Sequence, residues 1–181
     1  RYGELIMSSE NCKQKVYKGE FKEDLICGRG RYKYYDGKEY IGEWKNSEIN
    51  GYGIMIDENV RHIGYYEHNK KHGYGATFHT VQNISILGRW YEDNEEGFGI
   101  ILNIQDSDKL ENLSYSNNEN ENIKVIKIAY FSHGEIDNSK NNKSDIKQFM
   151  NNQEYKALLQ LYKNKLYIDY VQSFNEDFLS K

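Results

Sequence analysis

Between residues 16 and 104 apolar and polar side chains alternate with a period of two, and the alternation breaks at regular intervals. In Tyr40-Ile41-Gly42-Glu43-Trp44-Lys45, residues Tyr40, Gly42 and Trp44 project to one side and Ile41, Glu43 and Lys45 to the other. The polar run 46–50 interrupts this, and Gly51-Tyr52-Gly53-Ile54-Met55-Ile56 resumes it, which predicts a β-hairpin with a loop of about five residues. The same reading applies near 16–38, 39–60, 61–84 and 85–104, with a partial unit at 1–8. Residues 105–122 are polar, Asn-rich and aperiodic and read as a flexible insertion. A strand pattern returns over 123–131, and 123–138 reads as a degenerate final repeat that closes the sheet edge. If Ala129 holds the place of a repeat glycine, Phe131 falls in line with the earlier rings. From Ser144, read as an N-cap, the period lengthens to three and four. Tyr155, Leu158, Leu159, Tyr162, Leu166, Tyr170 and Phe174 then form one apolar stripe of a helical tail over 144–181, with a break expected at Asn151-Asn152.

Glycine placement turns this alternation into a repeat. Fourteen of the 15 glycines lie at or before Gly99. A glycine followed two residues later by a ring occurs at Gly19/Phe21, Gly42/Trp44, Gly64/Tyr66 and Gly88/Trp90, spaced by 23, 22 and 24 residues. Nine residues after each comes a G-x-G pair: Gly28/Gly30, Gly51/Gly53, Gly73/Gly75 and Gly97/Gly99. Glycine weakens a strand unless something must lie close above it, so each ring is expected to cover glycines of neighbouring strands. The expected fold is mainly β: an elongated, single-layer antiparallel β-meander of four to five hairpins, followed by an amphipathic helix. Its core is one aromatic ladder.

Tyr40-Ile-Gly42-Glu43-Trp44 through Gly51-Tyr52-Gly53 resembles the MORN (membrane occupation and recognition nexus) repeat, and four correctly spaced units carry the resemblance across roughly 1–104. Departures are visible. His62 and Ile86 stand where Tyr17 and Tyr40 stand in their repeats, Arg29 takes an aromatic slot, and the family's turn glycine is replaced near Ser47, Asn69 and Asn94. The resemblance implies a non-enzymatic scaffold or adaptor, cytoplasmic and peripheral to membrane or cytoskeletal structures, acting on protein partners or by self-association as a dimer. It also implies two alternatives: a phosphoinositide- or anionic-membrane-binding module, and a regulatory segment of a larger enzyme. Absence of proline with abundant Asn, Ile, Lys and Tyr suggests an AT-rich protist genome, apicomplexan or ciliate.

Composition narrows the chemistry. Aromatic residues make up 14% of the 181, which argues against intrinsic disorder, and a formal charge of −4 argues against a nucleic-acid partner. The chain opens on Arg1 rather than Met, which reads as a piece of a longer protein. Cys12 and Cys27 read as two free thiols of a reducing compartment. No catalytic, phosphate-loop or cofactor motif stands out, and the G-x-G pairs are not followed by helices. His62, His68, His72 and His79 read as solvent-facing residues, not as a metal site. Two features are left as candidate sites. Tyr17, Phe21, Tyr40, Trp44, Tyr66 and Trp90 line a partner-binding groove if their rings are accessible. Arg29, Arg31 and Lys33 with Lys70 and Lys71 form an anionic-lipid contact if they share one surface. The tail stripe either packs on the sheet or serves as an interface.

Overall fold

The computed structural model describes residues 1–8, 14–103 and 125–163. Its eleven strands follow one another in chain order in a single antiparallel sheet. They are β1 (Tyr2–Ser8), β2 (Gln14–Lys22), β3 (Leu25–Lys33), β4 (Glu39–Lys45), β5 (Glu48–Ile56), β6 (Val60–Glu67), β7 (Lys70–His79), β8 (Ile84–Tyr91), β9 (Asn94–Asn103), β10 (Val125–Ser132) and β11 (Glu135–Ile136). Every contact between neighbours is thus a hairpin, and at roughly 4.8 Å per strand the sheet is about 50 Å long. The insertion at 105–122 lies outside the described residues. Beyond it, β10 pairs with β9, setting Ala129 against Gly99 and Phe131 against Gly97.

The hairpin loops are shorter than the sequence suggests. Strand pairing continues to Lys45 and Glu48, so only Asn46 and Ser47 form the turn, not five residues. Both have positive φ, 51° and 64°. The same two-residue geometry recurs at Glu23-Asp24, His68-Asn69, Glu92-Asp93 and His133-Gly134. Such type I′ turns match the strand twist but favour glycine, and four of these five contain none. A clasp between hairpins compensates. The Ser47 N–H donates to Ile26 O at 2.8 Å, while its hydroxyl accepts from Ile26 N at 3.1 Å. Asn69 repeats this on Ile49 (3.0 and 2.9 Å), and Asp93 on Lys71 (3.1 and 2.8 Å). The position replacing the turn glycine in the fourth unit is therefore Asp93, not Asn94. Each tip ties its hairpin to the one before.

These clasps make a testable ordering. Asn69→Ala removes the side-chain bond and places a Cβ residue without Asn's tolerance at φ 67°, and should cost about 2 kcal/mol. Asn69→Gly loses only the bond and should cost about half as much. Urea midpoints that rank the two variants equally would show that backbone strain plays no part.

The G-x-G pair has two separate causes, seen best in β5. Gly42 faces Gly53 but Trp44 faces Ile49, so β5 bulges between these points. Gly51 sits in the bulge with φ 116°, and Glu43 fills the space beside it, accepting from Tyr52 N at 2.8 Å. Glu20 does the same for Arg29 N at 3.1 Å, beside Gly28 at φ 74°. Gly53 has ordinary strand geometry and is small for another reason: a Cβ there would lie 2.2 Å from Tyr40 Oη.

Two helices follow. The cap of α1 (Lys143–Met150) is Asn142, whose Oδ1 accepts from Asp145 N at 2.9 Å, so Ser144 lies within the helix rather than capping it. Asn151-Asn152 breaks the chain, and Asn152 Oδ1 accepts from Tyr155 N at 2.9 Å at the start of α2 (Gln153–Lys163).

Candidate functional site

Strand alternation and register give the sheet two distinct faces. The first carries the rings. Tyr17 lies across Gly19 and Gly30, and Tyr40 across Gly42 and Gly53, each close enough that a Cβ would meet the tyrosine hydroxyl or ring within 2.6 Å. Their hydroxyls turn back to donate to the carbonyls of Glu20 (3.1 Å) and Glu43 (3.2 Å). The rings over the glycine pairs are thus those two residues before each glycine. Trp44, Tyr66 and Trp90, two residues after it, wedge between them, which corrects the simpler expectation of one ring over each set of glycines. Edge-to-face contacts run continuously: Tyr17 to Phe21 at 5.2 Å, Tyr17 to Trp44 at 5.5 Å, Tyr40 to Trp44 at 5.3 Å and Tyr40 to Tyr66 at 5.4 Å. Trp44 Nε1 also donates to Gly30 O at 3.3 Å. Burial pushes the Tyr17 and Tyr66 phenols up, so both stay neutral.

In the third repeat His62 occupies the tyrosine slot. Its ring lies over Gly64 and Gly75, 4.7 Å from Trp90 and 5.5 Å from Tyr66. Nδ1 is 2.8 Å from Thr77 Oγ1, and Nε2 is buried with no hydrogen-bond partner among the described residues. His62 is 2% exposed, so it is an interior ring and not a solvent-facing histidine. Burial, reinforced by the Lys71 charge, holds its imidazole well below the ordinary range. In the fourth repeat Ile86 stands in the slot, and Gly88 has no neighbour nearer than 3.5 Å to a notional Cβ.

The groove candidates Tyr17, Tyr40, Trp44, Tyr66 and Trp90 are all buried, with Phe21 half-buried at their end. Around them Phe21, Tyr32, Tyr34 and Met55 are half-buried and pack against the ladder, forming the part of this face that solvent reaches.

The second face holds the helices. Phe149 of α1 stacks on Phe98 at 4.9 Å, Tyr155 of α2 meets Phe149 at 5.6 Å, and the Tyr74 hydroxyl donates to Glu154 at 3.2 Å. Leu158 is buried with Ala76, Leu87, Ile100 and Leu102, and Tyr155 and Leu159 pack beside it. The side chain of Tyr162, and Leu166, Tyr170 and Phe174, lie outside the described residues.

The second basic spot is split between the faces. Lys70, paired with Glu67, shares the second face with Arg29, Arg31 and Lys33 but lies four strands away, and Lys71 does not share it. Arg29, Arg31 and Lys33 alternate with the first-face residues of β3 and so lie on the second face. Lys71 pairs with Tyr66, four strands away, and faces the ladder. Two of the five carry acidic partners: Arg31 with Glu39, and Lys70 with Glu92 at 3.4 Å. The histidines are likewise dispersed. His68 Nδ1 is 2.8 Å from Glu48, and His72 Nδ1 is 3.5 Å from Glu67. Among the described residues no group of His, Cys, Asp and Glu has the arrangement to hold a metal ion. Cys27 is a free, half-buried thiol, and Cys12 lies outside the described residues. No described helix is long and apolar enough to cross a membrane.

A serial hairpin array with a core one ring deep defines a β-meander repeat protein. The MORN repeat family model matches residues 17–39, 40–59 and 62–76. It is 28% identical over 108 residues to alsin of Homo sapiens and 27% identical over 108 residues to alsin of Rattus norvegicus. Each match covers 56% of this chain but only 6% of the relative. MORN repeat-containing protein 3 of Xenopus laevis is 35% identical over 74 residues, covering 36% of this chain and 31% of that protein. Repeats of this family act as membrane- or protein-binding modules and are generally non-catalytic. The third match ends at Ala76, before the unit in which Ile86 displaces the repeat tyrosine.

Proposed function

We propose that this chain is a non-enzymatic scaffold module that binds a protein partner across the first face of its sheet. The observation that supports this most directly is the half-buried rim of Phe21, Tyr32, Tyr34 and Met55 along the ladder. The described helices pack on the other face, so these residues present amphipathic ring edges and a flexible thioether around a rigid floor. Such groups anchor protein contacts at small entropic cost. In this reading the buried ladder rings set the shape of the groove floor, and the rim makes the contact. The site of action is cytoplasmic, peripheral to membrane or cytoskeleton.

Direct binding to an anionic bilayer is the less favoured reading. A headgroup site needs convergent cations, whereas Arg31 and Lys71 project to opposite faces and Arg31 and Lys70 are already ion-paired. The test pairs two measurements. Partner retention from a lysate of the source cells should fall at least about tenfold in Tyr34→Ala/Met55→Ala, because rim anchors carry most of an interface's energy. Flotation with vesicles containing phosphatidylserine and a phosphoinositide should be absent at physiological salt. Retention that ignores the rim variant, or flotation abolished by Lys70→Gln/Lys71→Gln, would overturn the proposal.

A further inference from the structure

Strand β1 is one edge of the sheet: among the described residues it pairs with β2 alone. Arg1 and Phe21 exchange both backbone hydrogen bonds, at 2.6 and 3.0 Å, and the register runs on to Ser8/Gln14 without a shift. Alternation of bonded pairs then turns Gly3, Leu5 and Met7 inward to β2, and the N–H and C=O of Glu4, Ile6 and Ser8 outward. Natural edges are blunted by lysine, proline or a bulge, and β1 has none of these. It shows Leu5, Ile6 and Met7 to solvent instead, at 40%, 53% and 37% exposure. The far edge is treated differently. There β11 covers Phe131 and Ser132, Tyr130 N donates to Asn141 Oδ1 at 2.7 Å, and Tyr130 O accepts from Asp137 N at 2.9 Å.

Strand β1 also holds an unfilled place in the repeat. It faces β2 as β3 faces β4: Gly3 lies opposite Gly19 and Leu5 opposite Tyr17, as Gly30 lies opposite Gly42 and Tyr32 opposite Tyr40. Strands β3, β5 and β7 each receive a ring from the strand on their other side. Tyr17 covers Gly30, Tyr40 covers Gly53 and His62 covers Gly75, all within 2.9 Å of a notional Cβ. At Gly3 the neighbours among the described residues are Phe21 ring atoms at 3.4 and 3.5 Å, which come from β2. Among the described residues, no ring reaches Gly3 from the outer side.

We propose that β1 is a strand-acceptor edge, taking an extended segment of another protein that carries an aromatic residue two positions before a glycine. The β2–β3 pairing supplies the register, with Gly19 facing Gly30, Lys18 facing Arg31 and Tyr17 facing Tyr32. On β1 the incoming glycine faces Gly3, the aromatic residue faces Leu5, and the residue between them faces Glu4. Glu4 is bridged on its inner side to Lys18 at 3.3 Å and favours a second cation on its outer side. The incoming ring covers Gly3 while its backbone bonds to Glu4 and Ile6. A second copy of the chain fits this edge less well. Its own β1 has Arg1 where the ring is needed, and its Tyr-x-Gly strands, β2 and β4, are interior.

A labelled peptide with the sequence of residues 14–22, which contains Val-Tyr-Lys-Gly, tests this against the full chain. Fluorescence anisotropy should show saturable binding. Replacing the peptide's tyrosine by alanine, or its glycine by valine, should weaken binding about tenfold or more, because the ring and the close backbone approach anchor the contact. In the chain, Ile6→Pro removes an outward N–H that β2 does not use, and should weaken binding by a similar factor. Gly3→Val fills the place of the ring and should do the same with every outward N–H retained. Tyr34→Ala/Met55→Ala alters the ringed-face rim, two and four strands away, and should leave peptide binding unchanged. The peptide replacements carry the test even if Ile6→Pro unfolds the chain. Absence of saturable binding overturns the proposal, as does an alanine peptide that binds as tightly as the parent, or binding that ignores both edge variants. A concentration-dependent dimer that Ile6→Pro dissolves overturns it in favour of a second copy.

Discussion

Gly53→Ala should destabilise the sheet by about 3 kcal/mol, whereas Gly88→Ala should change stability by no more than about 0.5 kcal/mol in either direction. Both glycines are interior strand residues of the same repeat family, and neither has the positive φ that would penalise a side chain. They differ in what lies above them. A Cβ at Gly53 would fall 2.2–2.6 Å from three atoms of the Tyr40 ring, which is held by its contacts with Trp44 and Tyr66 and by its bond to Glu43 O. That ring has nowhere to go, so the strand must move and neighbouring rings with it. At Gly88 the nearest atom stands 3.5 Å away, because Ile86 is too short to reach across as a tyrosine does. Removal of the ring offers a check on cause. Tyr40→Ala alone should cost about 3–5 kcal/mol, but Gly53→Ala should add little on top of it. Urea unfolding of the four variants decides the matter. Equal costs at Gly53 and Gly88 would mean that glycine is required by strand geometry and not by the overlying ring. The Tyr40→Phe variant should not relieve the clash, since ring carbons as well as the hydroxyl oxygen occupy the space.

The repeat, its period and its hairpins were legible because glycine and aromatic positions are local features with one physical purpose. Other elements depend on contacts the linear pattern does not express. The stretch 46–50 reads as a five-residue loop because all but Ile49 are polar. Its last three residues are strand, and the two-residue turn is held by Ser47 reaching Ile26, 21 positions away. Similarly, Ser144 reads as a cap by residue type, but Asn142 takes the role because its side chain reaches Asp145 N. Alternation places Arg31 opposite Tyr32 correctly within one strand. It also holds across the irregularity between Gly64 and Tyr65, where the register shifts by two residues and Lys71 keeps the ladder side of Gly75. What it does not express is which strands lie between the two basic spots. The aliphatic residues in register across the second face, Ile41, Ile54, Ile63, Ala76, Leu87, Ile100 and Ile128, were present in the sequence one per strand, yet nothing local says that two helices choose the later half of that row. That choice belongs to Phe98, whose ring gives Phe149 a flat surface to stack upon. His62 was visible as a substitution in the tyrosine slot, but grouping it with His68, His72 and His79 by proximity obscured its burial.

That burial makes the ladder sensitive to acid, and His62 is the residue through which sensitivity should act. Its folded-state affinity for a proton is lowered, first by burial and then by Lys71, so the unfolded chain binds the proton more readily. Stability from this source is complete above the ordinary histidine range near pH 6.5 and declines as pH falls below it. The slope approaches about 1.4 kcal/mol per pH unit while the unfolded histidine is charged and the folded one is not. His79, half-buried and also lowered, acts in the same direction, opposed by Glu95. His62→Tyr should flatten most of the decline between pH 6.5 and 5, since Tyr17 and Tyr40 show that the slot accepts a phenol over two glycines. The substitution strands the Thr77 hydroxyl, now bonded to Nδ1 at 2.8 Å, which sets back its stability by about 1–3 kcal/mol. Met55 faces Tyr40 at the corresponding place one repeat earlier, so Thr77→Met should recover that loss in the double variant. By pH 5.5 the native chain has lost about 1.4 kcal/mol, within the range that the stranded hydroxyl costs His62→Tyr. The double variant should therefore be the most stable of the three there, and the deficit of His62→Tyr against the native chain should be smaller at pH 5.5 than at pH 8. Urea midpoints measured at pH 8 and pH 5.5 test it, and a His62→Tyr protein that loses stability as steeply as the native chain would place the acid-sensitive group elsewhere.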